Sequence, residues 1–310
     1  MKKILIIDDM HESIVPLLTQ LGFDVDYLPK INRDEVLESI SVYQGLILRS
    51  KLLVDKSILD RAEQLQFIAR AGAGLDKIDL DEVSKRGIKL LNAPEGNRDA
   101  LGEHTLGLLL SLTNNIVKSD REIRRFTWDR EGNRGYEIGG KTVGLLGYGN
   151  MAQAFAKRLK PFGCEILAYD KYKVNYSDQF VKESSLEEIK ERADIFSIHT
   201  PLTPETRGLV DHDFLSSFKK PFWLLNTARG EIIPIIDLLN FLNEGKILGA
   251  SLDVLENEKI RKMSESEKKH YNELFEKHNV ILTPHVAGWS FESYRRINDV
   301  LVSKIKNIYS

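Results

Sequence analysis

The sequence predicts an α/β protein built on two doubly wound parallel sheets, and three observations carry that prediction. Short apolar runs of strand length alternate with helical segments along most of the 310 residues. Glycines stand where helices should stop and strands should turn. In mid-chain a glycine-rich turn, Gly147 to Met151, joins a strand to an amphipathic helix. A chain of this length, 42% hydrophobic and 29% charged, is expected to divide into about two domains, each with its own core.

Taken in order, strands are expected at residues 4–7, 45–48, 67–69 and 88–91, with Gly22 and Gly87 closing helices between them. The turn-rich run Arg70-Ala-Gly-Ala-Gly-Leu-Asp76 follows a strand, where ligands of parallel sheets gather. A single helix over residues 99–118, with Leu101, Thr105, Leu108, Leu109 and Leu112 at helical spacing, is expected to link the domains. Strands and helices resume from Thr142 to about Leu282, with strands at 165–169, 194–198, 222–225 and 248–252. The charged run 256–269 reads as a solvated surface excursion. A last helix over 291–308, apolar along Tyr294, Ile297, Val300, Leu301, Ile305 and Ile308, is expected to return to the first domain. The division is therefore 1–97 plus 287–310 against 98–286.

The mid-chain turn carries chemistry. Gly147 permits a tight turn, Gly149 lets main chain approach a pyrophosphate, and Ala152 lets the helix lie close on its strand. Backbone N–H groups around Asn150 and Met151 then face the phosphates. Asp170, 21 residues beyond Gly149 at the end of the next strand, is placed to accept hydrogen bonds from ribose hydroxyls, as in a Rossmann domain binding NAD. Lys171 beside it leaves some room for NADP.

A net charge of −2 offers no basic field for nucleic acid. No apolar run reaches membrane-spanning length, and Met1-Lys-Lys leads straight into a strand without a signal-peptide core, so a cytoplasmic protein without a membrane partner is expected. The one cysteine, Cys164, excludes an internal disulfide and reads as packing. His104, His11, His212, His270 and His278 lack a paired acid or metal-like spacing, so no metal is expected.

Further motifs lie on either side of the turn. Asn226-Thr-Ala-Arg229-Gly230, Ser251-Leu-Asp253-Val-Leu-Glu256-Asn-Glu258 and Thr283-Pro284-His285-Val-Ala-Gly288 follow it; Leu48-Arg49-Ser50, Ala71-Gly-Ala-Gly-Leu-Asp76, Asn92-Ala-Pro94, Glu103-His-Thr105 and His199-Thr-Pro-Leu202 complete the pattern. In this order they resemble the D-isomer-specific 2-hydroxyacid dehydrogenases over nearly the whole chain, most closely the phosphoglycerate and glycerate dehydrogenases in a short form without a regulatory domain. The resemblance implies a flavodoxin-like substrate domain and a Rossmann NAD-binding domain with a cleft between them. It implies a homodimer through the NAD-binding domain, with the Trp128 to Tyr136 segment in the contact.

The resemblance assigns three catalytic residues. Arg229 would bind the substrate carboxylate and carbonyl, because a guanidinium forks onto planar oxygens and keeps its charge. His285 would give or take the proton of the C2 oxygen, a role suited to a side chain titrating near neutrality. Glu258 would stabilise the imidazolium, with Glu256 two residues away as the alternative; Lys259 stands where the family normally has proline. Ala73 and Gly74 would offer main-chain N–H groups to the substrate carboxylate, helped by Ser50, and Arg49 and Lys51, which flank Ser50, would suit a phosphate at the far end of the substrate. Lys77 replaces the asparagine usual in that loop.

On the cofactor side the resemblance implies contacts from His199, Thr200, Pro201, Thr206, Thr227, Ala228, Asp253, His285 and Gly288, with Asp253 on the nicotinamide carboxamide. Trp289 either narrows the pocket or packs. The activity implied is NAD-dependent hydride exchange with a D-2-hydroxy acid, 3-phosphoglycerate first, then glyoxylate, hydroxypyruvate or D-lactate. A nicotinamide-sensing corepressor on the same fold is the reading of another class.

Overall fold

All strands run parallel, in two sheets, within residues 1–309, which the computed structural model describes. The chain divides into a unit of Met1–Arg98 with Trp289–Ser310 and a unit of Asp99–Gly288.

The first unit has the strands β1 (Lys2–Ile6), β2 (Phe23–Tyr27), β3 (Gly45–Leu48), β4 (Phe67–Arg70) and β5 (Lys89–Asn92) in the order β2-β1-β3-β4-β5. This is the flavodoxin-like order, and its topological switch lies between β1 and β3. Both sheet faces are covered, so the strands read as nearly continuous apolar runs. Leu5, Leu46, Leu48 and Ile68 face one cluster, while Ile4, Ile6, Ile47 and Phe67 face the other. Ile297, Leu301 and Ile305 of the helix Phe291–Lys306 fill that second cluster, so the last helix packs on this unit. Burying each such side chain contributes roughly 1.5–3 kcal/mol.

The single helix expected over residues 99–118 is two helices. Pro94–Thr113 starts earlier, because a proline suits a helix's first turn, and Ile116–Ile123 follows. Asn115 breaks the run by adopting a left-handed backbone, φ 54°, which asparagine tolerates better than most residues.

The second unit has the strands β6 (Thr142–Leu146), β7 (Glu165–Tyr169), β8 (Lys182–Glu183), β9 (Ile195–Ile198), β10 (Phe222–Asn226), β11 (Ile247–Leu252) and β12 (Val280–Leu282) in the order β12-β11-β10-β9-β6-β7-β8. The chain reverses direction between β6 and β9, the Rossmann switch point. The charged run beyond Glu256 is less of an excursion than its composition predicts. Ser264 and Glu267 form a capping box, and the helix Glu265–Glu276 turns Tyr271 and Leu274 inward. Cys164 donates its thiol to the Ile138 carbonyl, and burial pushes its pKa up, as expected of a packing cysteine.

Candidate active site

The switch point of the second unit is shaped by two glycines with opposite surroundings. Gly147 sits at φ 88°, and a Cβ there would meet Thr200 Cγ2 at 3.0 Å and the His199 carbonyl carbon at 3.2 Å. Around Gly149 a Cβ would meet nothing within 4 Å. Gly149 is the N-cap of the helix Asn150–Leu159, and no side chain caps it, so the N–H groups at Asn150 and Met151 are left for an anion. Thr200 Oγ1 lies buried beside the turn without a partner. Tight turn, open flank, uncapped helix and orphaned hydroxyl together fit a dinucleotide pyrophosphate.

Asp170 is tied to that turn. Its Oδ2 accepts from Tyr148 N at 2.9 Å, and its Oδ1 accepts from Tyr172 N and Lys173 N at 3.0 and 3.2 Å. A carboxylate has about four acceptor positions, so capacity remains for a ribose hydroxyl. Lys171, the residue leaving room for NADP, pairs at 2.8 Å with Glu205, which also accepts from Tyr172 Oη at 2.7 Å. Tyr148, Lys173 and Glu205 carried no signal of their own in the sequence, since each acts through a partner distant along the chain.

Two of the residues expected at the cofactor have side chains hydrogen-bonded within the protein. The His199 ring bonds Ser197 Oγ at 2.9 Å and lies against Phe155; packing pushes its pKa down to about 3, so it stays neutral. Its side chain is a support for the sheet, and from this segment it is the His199 main chain and the Thr200 methyl that face Gly147. Thr206 Oγ1 donates to the Pro201 carbonyl at 2.6 Å and closes the 201–206 loop. Thr227 Oγ1 lies 3.3 Å from Thr105 Oγ1. Ala228 N donates to Asn226, and Gly288 is the last residue of this unit.

Asn226, at the end of β10, shapes the segment that carries Arg229. It is 1% exposed; its Nδ2 donates to the Arg229 carbonyl at 2.9 Å and its Oδ1 accepts from Ala228 N at 3.0 Å. Arg229 Nη1 donates to the Ala228 carbonyl at 2.7 Å. Gly230 is required by a close approach: a Cβ would lie 1.9 Å from the Leu255 carbonyl carbon. The 255–258 segment therefore crosses directly over the residue after Arg229.

That crossing separates the two candidate glutamates. Glu256 Oε2 accepts from Ile235 N at 2.9 Å, at the start of the helix Ile235–Asn243. Glu258 Oε1 lies 2.8 Å from His285 Nδ1, so the pair the structure forms is Glu258–His285. With Nδ1 on a carboxylate, the imidazole has Nε2 left to exchange a proton outward.

His285 adopts φ 56°, an uncommon backbone for a residue with a side chain. Asp253, 1% exposed, holds it there. The Asp253 carbonyl accepts from His285 N at 2.7 Å; its Oδ1 accepts from Thr283 Oγ1 and Val286 N at 2.6 and 2.9 Å, and its Oδ2 from Ala287 N at 2.7 Å. Both carboxylate oxygens are thus engaged by the turn itself. His104, expected to have no paired acid, has one: its Nε2 lies 3.7 Å from Asp253 Oδ1 and 3.2 Å from Thr283 Oγ1. The helix Pro94–Thr113 brings it there, across a sequence interval that no spacing rule spans.

In the first unit, the candidates cluster at the carboxyl ends of β3 and β4. Asp8 Oδ2 accepts from Arg49 N at 2.6 Å, Ser50 N at 3.2 Å and Lys51 N at 3.3 Å, which curls the chain after β3. Ser50 is exposed, and its carbonyl accepts from Lys77 Nζ. Asn92 Nδ2 donates to the Ala73 carbonyl at 2.8 Å and steadies the 71–76 loop. The Trp289 ring lies 4.0 Å from the Arg49 guanidinium carbon and meets the Tyr294 ring at 4.7 Å with an interplanar angle of 58°.

Among the described residues no group of three His, Cys, Asp or Glu is placed to hold a metal, and no helix is long and apolar enough to cross a membrane.

Comparison with known proteins gives a consistent picture. Residues 106–287 match the model of the D-isomer specific 2-hydroxyacid dehydrogenase, NAD binding domain. D-3-phosphoglycerate dehydrogenase of Methanocaldococcus jannaschii is 34% identical over 99% of this chain, which spans 57% of that protein. Hydroxypyruvate reductase of Thermotoga maritima is 34% identical over 89% of this chain and 88% of its own. The chain thus spans about half the length of the phosphoglycerate dehydrogenases it matches. Among solved structures, the TT0316 protein from Thermus thermophilus superposes with a TM-score of 0.82 at 29% identity, over 97% of this chain and 94% of that one.

Proposed function

Because the chain belongs to the D-isomer specific 2-hydroxyacid dehydrogenase family, we propose that it is an NAD-dependent oxidoreductase interconverting a D-2-hydroxy acid and its 2-oxo acid. The observation that carries this reading is the Glu258–His285 pair at 2.8 Å, on a turn whose strained backbone is pinned by a buried carboxylate. Bound nicotinamide would supply or accept the hydride at C2. His285 gives its Nε2 proton to the C2 oxygen in reduction and takes it back in oxidation, while Glu258 stabilises the imidazolium. Arg229 orients the acid and polarises the carbonyl. The N–H groups of Ala73 and Gly74, with Ser50, receive the substrate carboxylate. Asn150 and Met151 serve the pyrophosphate and Asp170 the ribose, and the Lys171–Glu205 pairing favours NAD over NADP.

The leading substrate is 3-phosphoglycerate, ahead of glycerate, glyoxylate and lactate. The relative of that name and the cations beside Ser50 support it. A cytoplasmic homodimer joined through the second unit belongs to the same reading. The test is a spectrophotometric panel of the purified protein with NAD or NADP against 3-phosphoglycerate, glycerate, lactate and their oxo counterparts. NAD-linked turnover with at least one acid is expected; NADH binding with negligible flux on every acid would favour a cofactor-sensing corepressor instead.

A further inference from the structure

We propose that the helix Glu265–Glu276 fixes where Glu258 stands by holding Asn257, so that Tyr271, Glu267 and Asn257 are positioning residues for the Glu258–His285 pair. This deepens the proposed function and rests on the role given there to that pair.

The pair needs support from outside itself. The side chains of His285 and Glu258 are 45% and 48% exposed, so water competes for both groups, and such a pair does little to hold a loop in place. Local sequence adds little more. A proline after Glu258 would fix its own φ and restrict Glu258 to extended backbone, whereas Lys259 does neither. Glu256 is tied to Ile235 N at 2.9 Å, but that anchor lies two residues before the carboxylate to be placed.

Asn257 supplies the hold. Its N–H donates to Tyr271 Oη at 2.8 Å, and its Nδ2 donates to Glu267 Oε1 at 2.8 Å. Its Oδ1 accepts from Lys259 N at 2.9 Å, which closes a turn with Glu258 at its centre. The backbone on both sides of Glu258 is therefore set by one asparagine. Glu267 and Tyr271 are four residues apart, so both bonds run to the same side of the helix.

That helix is a firm post. Ser264 donates its N–H and its Oγ hydroxyl to Glu267 Oε2, at 2.8 and 2.6 Å, while Oε1 takes the bond from Asn257. Tyr271 is 3% exposed, and the buried Leu274 packs in one core cluster with Leu252 of β11 and Val280 of β12. From the neighbouring helix Ile235–Asn243, Asn243 Nδ2 donates to Glu273 Oε1 at 2.8 Å. Burial pushes the Tyr271 phenol pKa up, and bonds from Ser264 hold the Glu267 carboxyl down at about 2, so both keep one form through neutral pH. The charged run after Glu256 thus carries the stiffness that Lys259 does not supply.

The test uses the whole chain, NADH and the 2-oxo acid it reduces fastest. Tyr271→Phe keeps the buried ring and removes its oxygen, Asn257→Ala removes both side-chain bonds, and Glu258→Ala removes the group to be placed. Tyr271→Phe and Asn257→Ala should each lower kcat about tenfold, with KM and NADH affinity changed less than about twofold. In the Glu258→Ala background neither should lower kcat further, because a positioning residue then has nothing to position. Nitrogen NMR of the histidine rings, without cofactor, reads the pair independently of turnover: both variants should move the His285 Nδ1 signal towards its place in Glu258→Ala. The same fold-loss of kcat in both backgrounds, with that signal unmoved, would overturn the brace. A His285 signal that follows the brace in a protein without turnover on any acid would instead overturn the dehydrogenase reading and leave the brace standing.

Discussion

The turn after β6 and the turn after β12 sit at strand ends of the same sheet and meet opposite demands. The first must keep side chains away. Its left-handed position is Gly147, at φ 88°, and the flank at Gly149 is open. The second must deliver a side chain, so its left-handed position, φ 56°, is filled by His285, and Asp253 offsets the strain with backbone bonds to Val286 and Ala287. Glycine tolerates such a backbone without help, whereas histidine does so only where its surroundings hold it.

Substitutions can break this contrast, and the largest effect is expected at the delivered side chain. His285→Ala should lower turnover at least ~100-fold, the usual worth of general acid–base catalysis, with NADH binding by fluorescence titration retained. Turnover close to wild type would remove His285 from the chemistry. Asp253→Asn comes next, since an amide nitrogen would face a backbone donor and leave a buried group unsatisfied, a loss of about 1–3 kcal/mol. Turnover should drop ~10-fold or more as the histidine is misplaced, with NADH affinity changing less. If NADH affinity collapses and turnover at saturation holds, the carboxylate serves the nicotinamide instead of the turn.

The glycines sharpen the other half of the comparison. Gly147→Ala should cost about 1–3 kcal/mol in thermal unfolding, from a side chain at positive φ against Thr200. Gly149→Ala has extended backbone and open space, so stability should scarcely move while NADH binding weakens. Equal stability losses at the two positions would mean that the turn is one rigid block and that the open flank is not reserved for a ligand.

The smallest expected effect concerns the support beneath the first turn. His199 has its pKa held near 3 by desolvation, against an ordinary 6.5. Below about pH 6.5 the unfolded chain binds a proton that the folded chain refuses until about pH 3, so folded stability falls as pH drops through that window. The unfolding midpoint of the wild type should decline more steeply from pH 7 to pH 4 than that of His199→Gln. Parallel slopes would show a ring that is charged in the fold.

The sequence by itself determined the parallel α/β class, the glycine turn with Asp170 after it, and the last helix of the first unit. Each rests on a local rule: strand length, helical period, or the φ that only glycine takes freely. It placed Arg229, Glu258 and His285 on loops at strand ends, by resemblance, and left Glu256 beside Glu258 as an equal by residue type. Tertiary structure alone decided which glutamate reaches His285. Gly230 lets the 255–258 segment pass against the Arg229 turn, and that path sends Glu256 to a helix start and Glu258 to the imidazole. The same holds for His104 beside Asp253, for the inward-turned ring of His199, and for Trp289 on Arg49. Each of these depends on side chains meeting across separate elements, and spacing along a chain carries no record of which elements the core brings side by side.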